Sequence, residues 1–291
     1  MTEKKSAKKI SIAVIGGSGL YAMEDLKEIR EIRIKTPFGD PSDALISGVL
    51  EGTPIVFLPR HGRGHGYNPS EVNYRANIFS LKTLGVEQII SVSACGSLRH
   101  ELAPRDMVFP DQTFDRTKGR ASTFFEKGIV AHVGIANPYC PELSMRLCGA
   151  AAELGFKTHR GGTYVCIEGP QFSTKAESNV YRSLGFSVIG MTNLPEVKLA
   201  REAEICYAAV ALVTDYDVWK DDEQVSVDKV IANLTANTAN VKRLLKTVVS
   251  RLARERSCEC ASALRYAVLT DREKIPSGAK KKLAPLIGKY I

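Results

Sequence analysis

No apolar run in this chain approaches the roughly 18 residues that a membrane-spanning helix needs. The opening stretch MTEKKSAKKIS is basic, but no apolar segment with a cleavage site follows it, so a secretory leader is not expected. A cytoplasmic location is the default expectation. Linkers, internal repeats and low-complexity segments are missing too, which argues for one domain. Positive charge is scarce where a nucleic-acid groove would need it. The net charge is +8, yet residues 1–9 carry +3 and residues 271–291 carry +4, leaving the body between them at +1. A body so near neutrality suits a phosphate backbone poorly. The two ends read as solvated, mobile tails that help solubility, and neither nucleic acid nor membrane is expected as a partner.

Cofactor fingerprints are equally scarce. The glycine-rich GGSGL that follows the first apolar run lacks the dinucleotide spacing, and no P-loop lysine follows it. Seven cysteines are present, most of them single among apolar residues, as buried thiols are. Cys258 and Cys260, in CEC, are the exception. Their gap is tighter than the usual zinc pair, and the sequence shows no second pair or nearby histidine to complete a site, so no metal is expected. A disulfide or redox role for the two stays open beside an accident of surface sequence.

What remains is an ordinary globular composition, 44% hydrophobic and 25% charged, in which strand-like and helix-like segments alternate. ISIAVIGG, ALISGVL, PIVFLPRHG, VEQIISVSACGS, TYVCIEGPQF, FSVIGMT and YAAVALVTDYDVW read as strands. PSEVNYRANIFSLKTLG reads as a helix starting near Pro69–Ser70 and ending at Gly85. CPELSMRLCGAAAELG, STKAESNVYRSLG, NLPEVKLAREAEI and the long segment from VSVDKV to RLARE read as further helices. This alternation predicts an α/β fold, one domain with helices on both faces of a sheet, and ligands gather at strand ends in such sheets.

The strand ends are unusual. GGSGL offers backbone N–H groups and the Ser18 hydroxyl; RHGRGH offers Arg60, whose fork can hold two phosphate oxygens, and His61. SVSACGS offers Ser93 and the backbone at Ala94, and GMTNLPE places Thr192 ahead of a helix N-terminus. Each alone is weak; four together at strand ends suit one small anion. The last strand ends with Asp215 and Asp217, which point to the same side if the extended geometry persists. Two carboxylates on one face repel each other and resist burial, unless something that donates hydrogen bonds faces them. A solvated strand end entering a turn is the plainer reading of the pair.

The words IGGSGLY, TPFGDPSDAL, RHGRGH, PSEVNYRANI, ACGSLR, TYVCIEGPQFST, VIGMTNLPEVKLAREA, CYAAVALVTDYDVWK and VSVDKV run in one order over roughly residues 10–250. In this the chain resembles the trimeric purine nucleoside phosphorylase family, in the branch that cleaves 5′-methylthioadenosine. The resemblance implies a three-layer αβα domain with a mixed sheet over residues 10–270, and phosphorolysis of 5′-methylthioadenosine to adenine and 5-methylthioribose 1-phosphate in purine and methionine salvage. Adenosine would be a side substrate. It implies a phosphate site of Ser18, Arg60, His61, Ser93, Ala94 and Thr192, the set already gathered from strand ends. It places Met191 at the ribose, Phe172 and Ile167 near the base, and Ser173 and Val227 in the specificity region. His132 and Leu269 match positions that a neighbouring subunit lends to the methylthio pocket, so a homotrimer or a multiple of it is implied. No cofactor is implied beyond phosphate as co-substrate.

The aspartates then gain a purpose. As the C1′–N9 bond breaks, the sugar becomes cationic and the purine gathers negative charge. Asp215 is expected to protonate or hydrogen-bond N7, and Asp217 to hold the 6-amino group, with one proton shared by the pair. Two carboxylates favour an amino-bearing purine over a 6-oxopurine. The alternatives are a phosphorylase for inosine, guanosine or methylthioinosine, with Asn193 altering the base contacts, or a non-catalytic nucleotide- or anion-binding regulator.

Overall fold

The computed structural model describes residues 10–20, 22–220, 227–252 and 256–291; residues 1–9, the expected N-terminal tail, lie outside it, as do the side chains of Ser18, Val227, Lys229 and Val230. The described strands are β1 (Ile12–Gly16), β2 (Lys27–Ile32), β3 (Leu45–Leu50), β4 (Thr53–Pro59), β5 (Gln88–Ser97), β6 (Met107–Phe109), β7 (Gln112–Arg116), β8 (Thr158–Arg160), β9 (Thr163–Ile167), β10 (Val188–Gly190) and β11 (Cys206–Asp215). The helices are α1 (Tyr74–Thr83), α2 (Pro141–Glu153), α3 (Lys175–Ser183), α4 (Glu196–Glu202), α5 (Val227–Leu252) and α6 (Ser277–Ile287). None is long and apolar enough to cross a membrane.

Successive side chains of a strand face opposite ways, and the core divides accordingly. Ala13 and Ile15 of β1, with Tyr207, Ala209, Ala211 and Val213 of β11, pack towards α1, α4 and α6. Ile12 and Val14, with Ala208, Val210 and Leu212, pack towards α2 and α5. Because both faces are covered, β11 is apolar along nearly its whole length instead of alternating. The expected αβα layering is what the chain adopts.

The sheet is mixed, in the order β2-β3-β4-β1-β5-β10-β9-β7, and β11 joins it through β5. β1, β4, β5 and β11 are parallel neighbours, so their C-terminal ends reach one edge. β5 serves two sets of partners. Its first half lies between β1 and β11, and its end, at Gly96 and Ser97, pairs antiparallel with β10. The sheet forks there, and the fork brings the ends of β9 and β10 beside those of the parallel strands.

Two expectations need correction. α1 starts at Tyr74, not near Pro69–Ser70, because the Asn73 side chain accepts the Ala76 N–H and caps the helix there. Residues 271–291 are not a mobile tail. Leu283, Leu286 and Ile287 of α6 are buried in the core, and Lys282 sits over the Phe38 ring and reaches Glu126. Three such side chains are worth about 1.5–3 kcal/mol each when buried, enough to seat a lysine-rich helix whose charges stay at the surface.

Candidate active site

A cavity of about 850 Å³ opens at this edge, within the usual range for a small-molecule site. Arg60, His61, Ser93, Ala94, Ile167, Phe172, Ser173, Met191, Thr192, Asp215 and Asp217 all line it. The fold thus unites eleven of the expected residues from five separate stretches of chain. Ser18 and Val227 are expected members whose side chains lie outside the description, although the Gly16–Gly17 turn beside Ser18 also lines the cavity. Gly16 is closely approached: a Cβ there would stand 2.5 Å from Leu20 Cδ1, which would have to move, and 3.3 Å from the Val92 carbonyl oxygen.

Arg60 does not offer its fork to a ligand. It is 2% exposed, and Nε and Nη2 donate to the two oxygens of Glu196 at 2.8 and 2.9 Å. Nη1 donates to the Val92 carbonyl at 3.0 Å and Nη2 to Ser91 Oγ at 2.7 Å. Of five N–H donors, one on Nη1 is left without a partner in this set. Glu196 is itself saturated, since Oε1 also accepts from Ser91 Oγ and Tyr207 OH at 2.8 Å each. The expected two-oxygen grip is therefore replaced by a single donor at the edge of a buried ion pair. Thr192 lines the cavity and stands four residues ahead of α4, whose first turn carries Glu196.

His61 is held by its Nδ1, 2.9 Å from the Tyr67 carbonyl, which must accept, so Nδ1 carries the hydrogen and Nε2 the lone pair. Burial and the Arg60 charge push its pKa down to about 4, so the ring is neutral at pH 7.

The aspartates are not on one extended run. The register between β11 and β5 slips between Val213 and Asp215, a bulge that re-aims the strand end. The strand stops at Asp215, and Asp217 takes a left-handed φ of 52°. Asp215 Oδ1 accepts the Asp217 N–H at 2.8 Å and Oδ2 accepts Thr214 Oγ1 at 2.7 Å. A turn held by Asp215 itself, not a pleat, keeps both carboxyls in the cavity. Gly96 makes room for them, because a Cβ there would lie 3.0 Å from Asp215 Oδ1 and 3.2 Å from Asp217 Cβ. Burial raises the pKa of both, and for Asp217 the Asp215 charge adds to it. Among the described residues Asp217 Oδ2 is buried and accepts no hydrogen bond, while the Ser178 hydroxyl, itself buried and unbonded, opposes part of the rise in the Asp217 pKa. A carboxylate oxygen left without a hydrogen bond at the wall of a cavity can accept one from a ligand.

Sequence reasoning missed the wall that α5 supplies: Leu234, Thr235, Thr238 and Ala239 line the cavity. The signal was TANTAN, small residues at i, i+3 and i+4 on one helix face. His132 and Leu269 do not line this cavity. They lie together beside the Ala131–Val268 bridge, with His132 N–H donating to the Ala267 carbonyl at 2.8 Å and Leu269 N–H to the Val130 carbonyl at 2.9 Å. Asn193 is turned away as well, its Oδ1 accepting from Tyr139 OH at 2.9 Å.

Known proteins share this architecture. Residues 11–250 match the model of the phosphorylase superfamily. The S-methyl-5′-thioadenosine phosphorylase of Geobacter sulfurreducens is 58% identical, over 96% of this chain and 99% of its own. That of Chloroflexus aurantiacus is 56% identical, over 96% and 98%. Among solved structures, a methylthioadenosine phosphorylase from an antarctic soil metagenomic library superposes with a TM-score of 0.92 at 51% identity, over 96% of this chain and 99% of its own. A substituted adenosine/methylthioadenosine phosphorylase of Schistosoma mansoni, in complex with methylthioadenosine, gives 0.82 at 36%, over 88% and 96%. The chain belongs to the phosphorylase superfamily.

Proposed function

We propose that this cavity catalyses the phosphorolysis of 5′-methylthioadenosine to adenine and 5-methylthioribose 1-phosphate. The observation that carries the reading is half-buried Asp215 beside buried Asp217, whose Oδ2 accepts no hydrogen bond among the described residues, at the same cavity as Arg60, His61, Ser93 and Thr192. Relatives that carry this activity in their names, at 50–58% identity over nearly the whole chain, support it.

Phosphate binds at the Gly16–Gly17 turn, the Ser18 and Thr192 hydroxyls, Ser93, the Ala94 backbone and His61, with Arg60 adding one N–H. A phosphate oxygen forms the bond to C1′ as C1′–N9 breaks, and the electron pair of that bond goes to the purine. Asp215 delivers its proton, or a strong hydrogen bond, to N7. A carboxyl whose pKa is raised by burial keeps that proton closer to neutral pH than an exposed one. Asp217 accepts from the 6-amino group, which a 6-oxopurine lacks. Met191 faces the ribose, Phe172 and Ile167 the base, and the α5 face with Val227 and Ser173 the 5′-substituent. The chemistry calls for phosphate as co-substrate and no further cofactor.

The 5′ end is completed by a second copy. His132 and Leu269 form an exposed patch outside their own cavity, with Leu269 64% and Tyr266 88% exposed. A homotrimer that lends this patch to its neighbour explains both positions, and a fully active monomer on sizing would refute it. The function itself is tested by base release from methylthioadenosine, adenosine, methylthioinosine and inosine, each with and without phosphate. Phosphate-dependent adenine release, fastest from methylthioadenosine, is expected; preference for an inosine would overturn the role of Asp217, and no release from any of the four would overturn the function.

A further inference from the structure

Far from the cavity, the fold completes the cysteine set that the sequence left open. Cys140 precedes α2, Cys206 opens β11, and Cys258 and Cys260 follow α5; their four Sγ atoms all lie within 4.8 Å of one another. The second pair that CEC lacked was 52 and more residues away in sequence. We propose that Cys140, Cys206, Cys258 and Cys260 form a tetrahedral thiolate site for a structural divalent metal, zinc by preference.

Zinc–sulfur bonds of about 2.3 Å set sulfurs about 3.8 Å apart at the corners of a tetrahedron. Cys206 and Cys258 sulfurs are 3.3 Å apart, and the widest separation is below 4.8 Å, so closure on an ion takes shifts below about 1 Å, within the tolerance of side-chain rotation. Three of the four cysteines are buried, which supplies the closed, dry setting of a structural site. Binding converts four thiols to thiolates, releasing four protons, and leaves a centre of charge −2. Two arginines are in place to offset it: Arg201 Nη1 donates to Cys260 Sγ at 3.6 Å and Arg256 Nη1 to Cys206 Sγ at 3.8 Å. Guanidinium donors on the sulfurs are the outer-shell partners that such a centre calls for. Cys140, at the N-cap of the 13-residue α2, also has a helix dipole favouring its thiolate. The site ties α2, β11 and the segment after α5 at the end of β11 opposite Asp215, about 30 Å away along the 10-residue strand. Its role is therefore stability and not turnover.

The test is metal analysis of the full chain purified under reducing conditions without chelator. About one zinc per chain is expected, falling below ~0.1 in a Cys258→Ser/Cys260→Ser variant, with midpoint temperature lowered and turnover at 25 °C changed less than about twofold. Should the variant not fold, cobalt reconstitution of the unaltered protein decides: intense tetrahedral bands with sulfur charge transfer support the site. Less than ~0.1 metal per chain after zinc dialysis, with all seven thiols titratable in the unfolded protein, overturns it. So does a mass about 2 Da lower per cysteine pair, the mark of disulfides.

Discussion

Asp215→Asn isolates the proton from the architecture. In the native turn Asp215 Oδ1 accepts the Asp217 N–H and Oδ2 accepts Thr214 Oγ1. An asparagine keeps the first bond through its oxygen and turns the second around, its amide donating to the hydroxyl. Geometry is kept and the acid is lost. Loss of general-acid help is typically worth about 10²–10⁴ in rate, or about 3–5.5 kcal/mol of barrier. We expect kcat/KM for methylthioadenosine to fall by that factor, with KM for phosphate nearly unchanged. A nucleoside already methylated at N7 has a leaving base that needs no proton, so the variant should cleave it at close to the wild-type rate. Folding should respond in the opposite sense. Burial raises the native pKa, so the native state binds a proton where the unfolded chain does not, and stability falls as pH rises from the ordinary carboxylate range through the raised value. The variant lacks that loss. A kcat/KM change below tenfold, or an equal loss with the N7-methylated substrate, would refute the proton-donor role.

Other perturbations probe separate parts of the account. Asp217→Asn should raise kcat/KM for methylthioinosine relative to methylthioadenosine by at least about tenfold, since an amide can donate to a 6-oxo group; an unchanged ratio in competition assays counts against the base contact. Glu196→Ala leaves Arg60 buried and unpaired, a loss of about 3–5 kcal/mol in urea unfolding, and weaker phosphate binding as the guanidinium loses its orientation; a loss below about 1 kcal/mol would mean that the pair is not the buried anchor described. Glu202 has its pKa raised by burial to about 7, its Oε2 accepting the Phe124 N–H at 2.7 Å. Glu202 should add a decline of up to about 3 kcal/mol to wild-type stability as pH rises from about 4.5 to 7, and Glu202→Gln should remove that share, leaving the part due to the aspartates; identical pH profiles would contradict this.

How far the sequence spoke depended on how local each cause was. The αβα layering is written in apolar periodicity, and the candidate site in strand ends, where glycines, hydroxyls and carboxylates stand out against Ala and Val. What stayed hidden was set by distant partners. Nothing near RHGRGH says that Glu196, 136 residues on, occupies the Arg60 fork. The bulge before Asp215 arises from pairing with β5, and no pattern in TDYD announces the left-handed Asp217. α6 was masked by its lysines, although Leu283, Leu286 and Ile287 carry helical spacing. The four cysteines meet only because β11 and α5 return to the same edge of the sheet.

The central claim is that phosphate, and not water, takes the sugar. Phosphorus NMR of the protein with methylthioadenosine and inorganic phosphate tests it most directly. A sugar 1-phosphate resonance should grow in step with adenine, one for one. Adenine released without that resonance, at a rate indifferent to phosphate, would contradict the account.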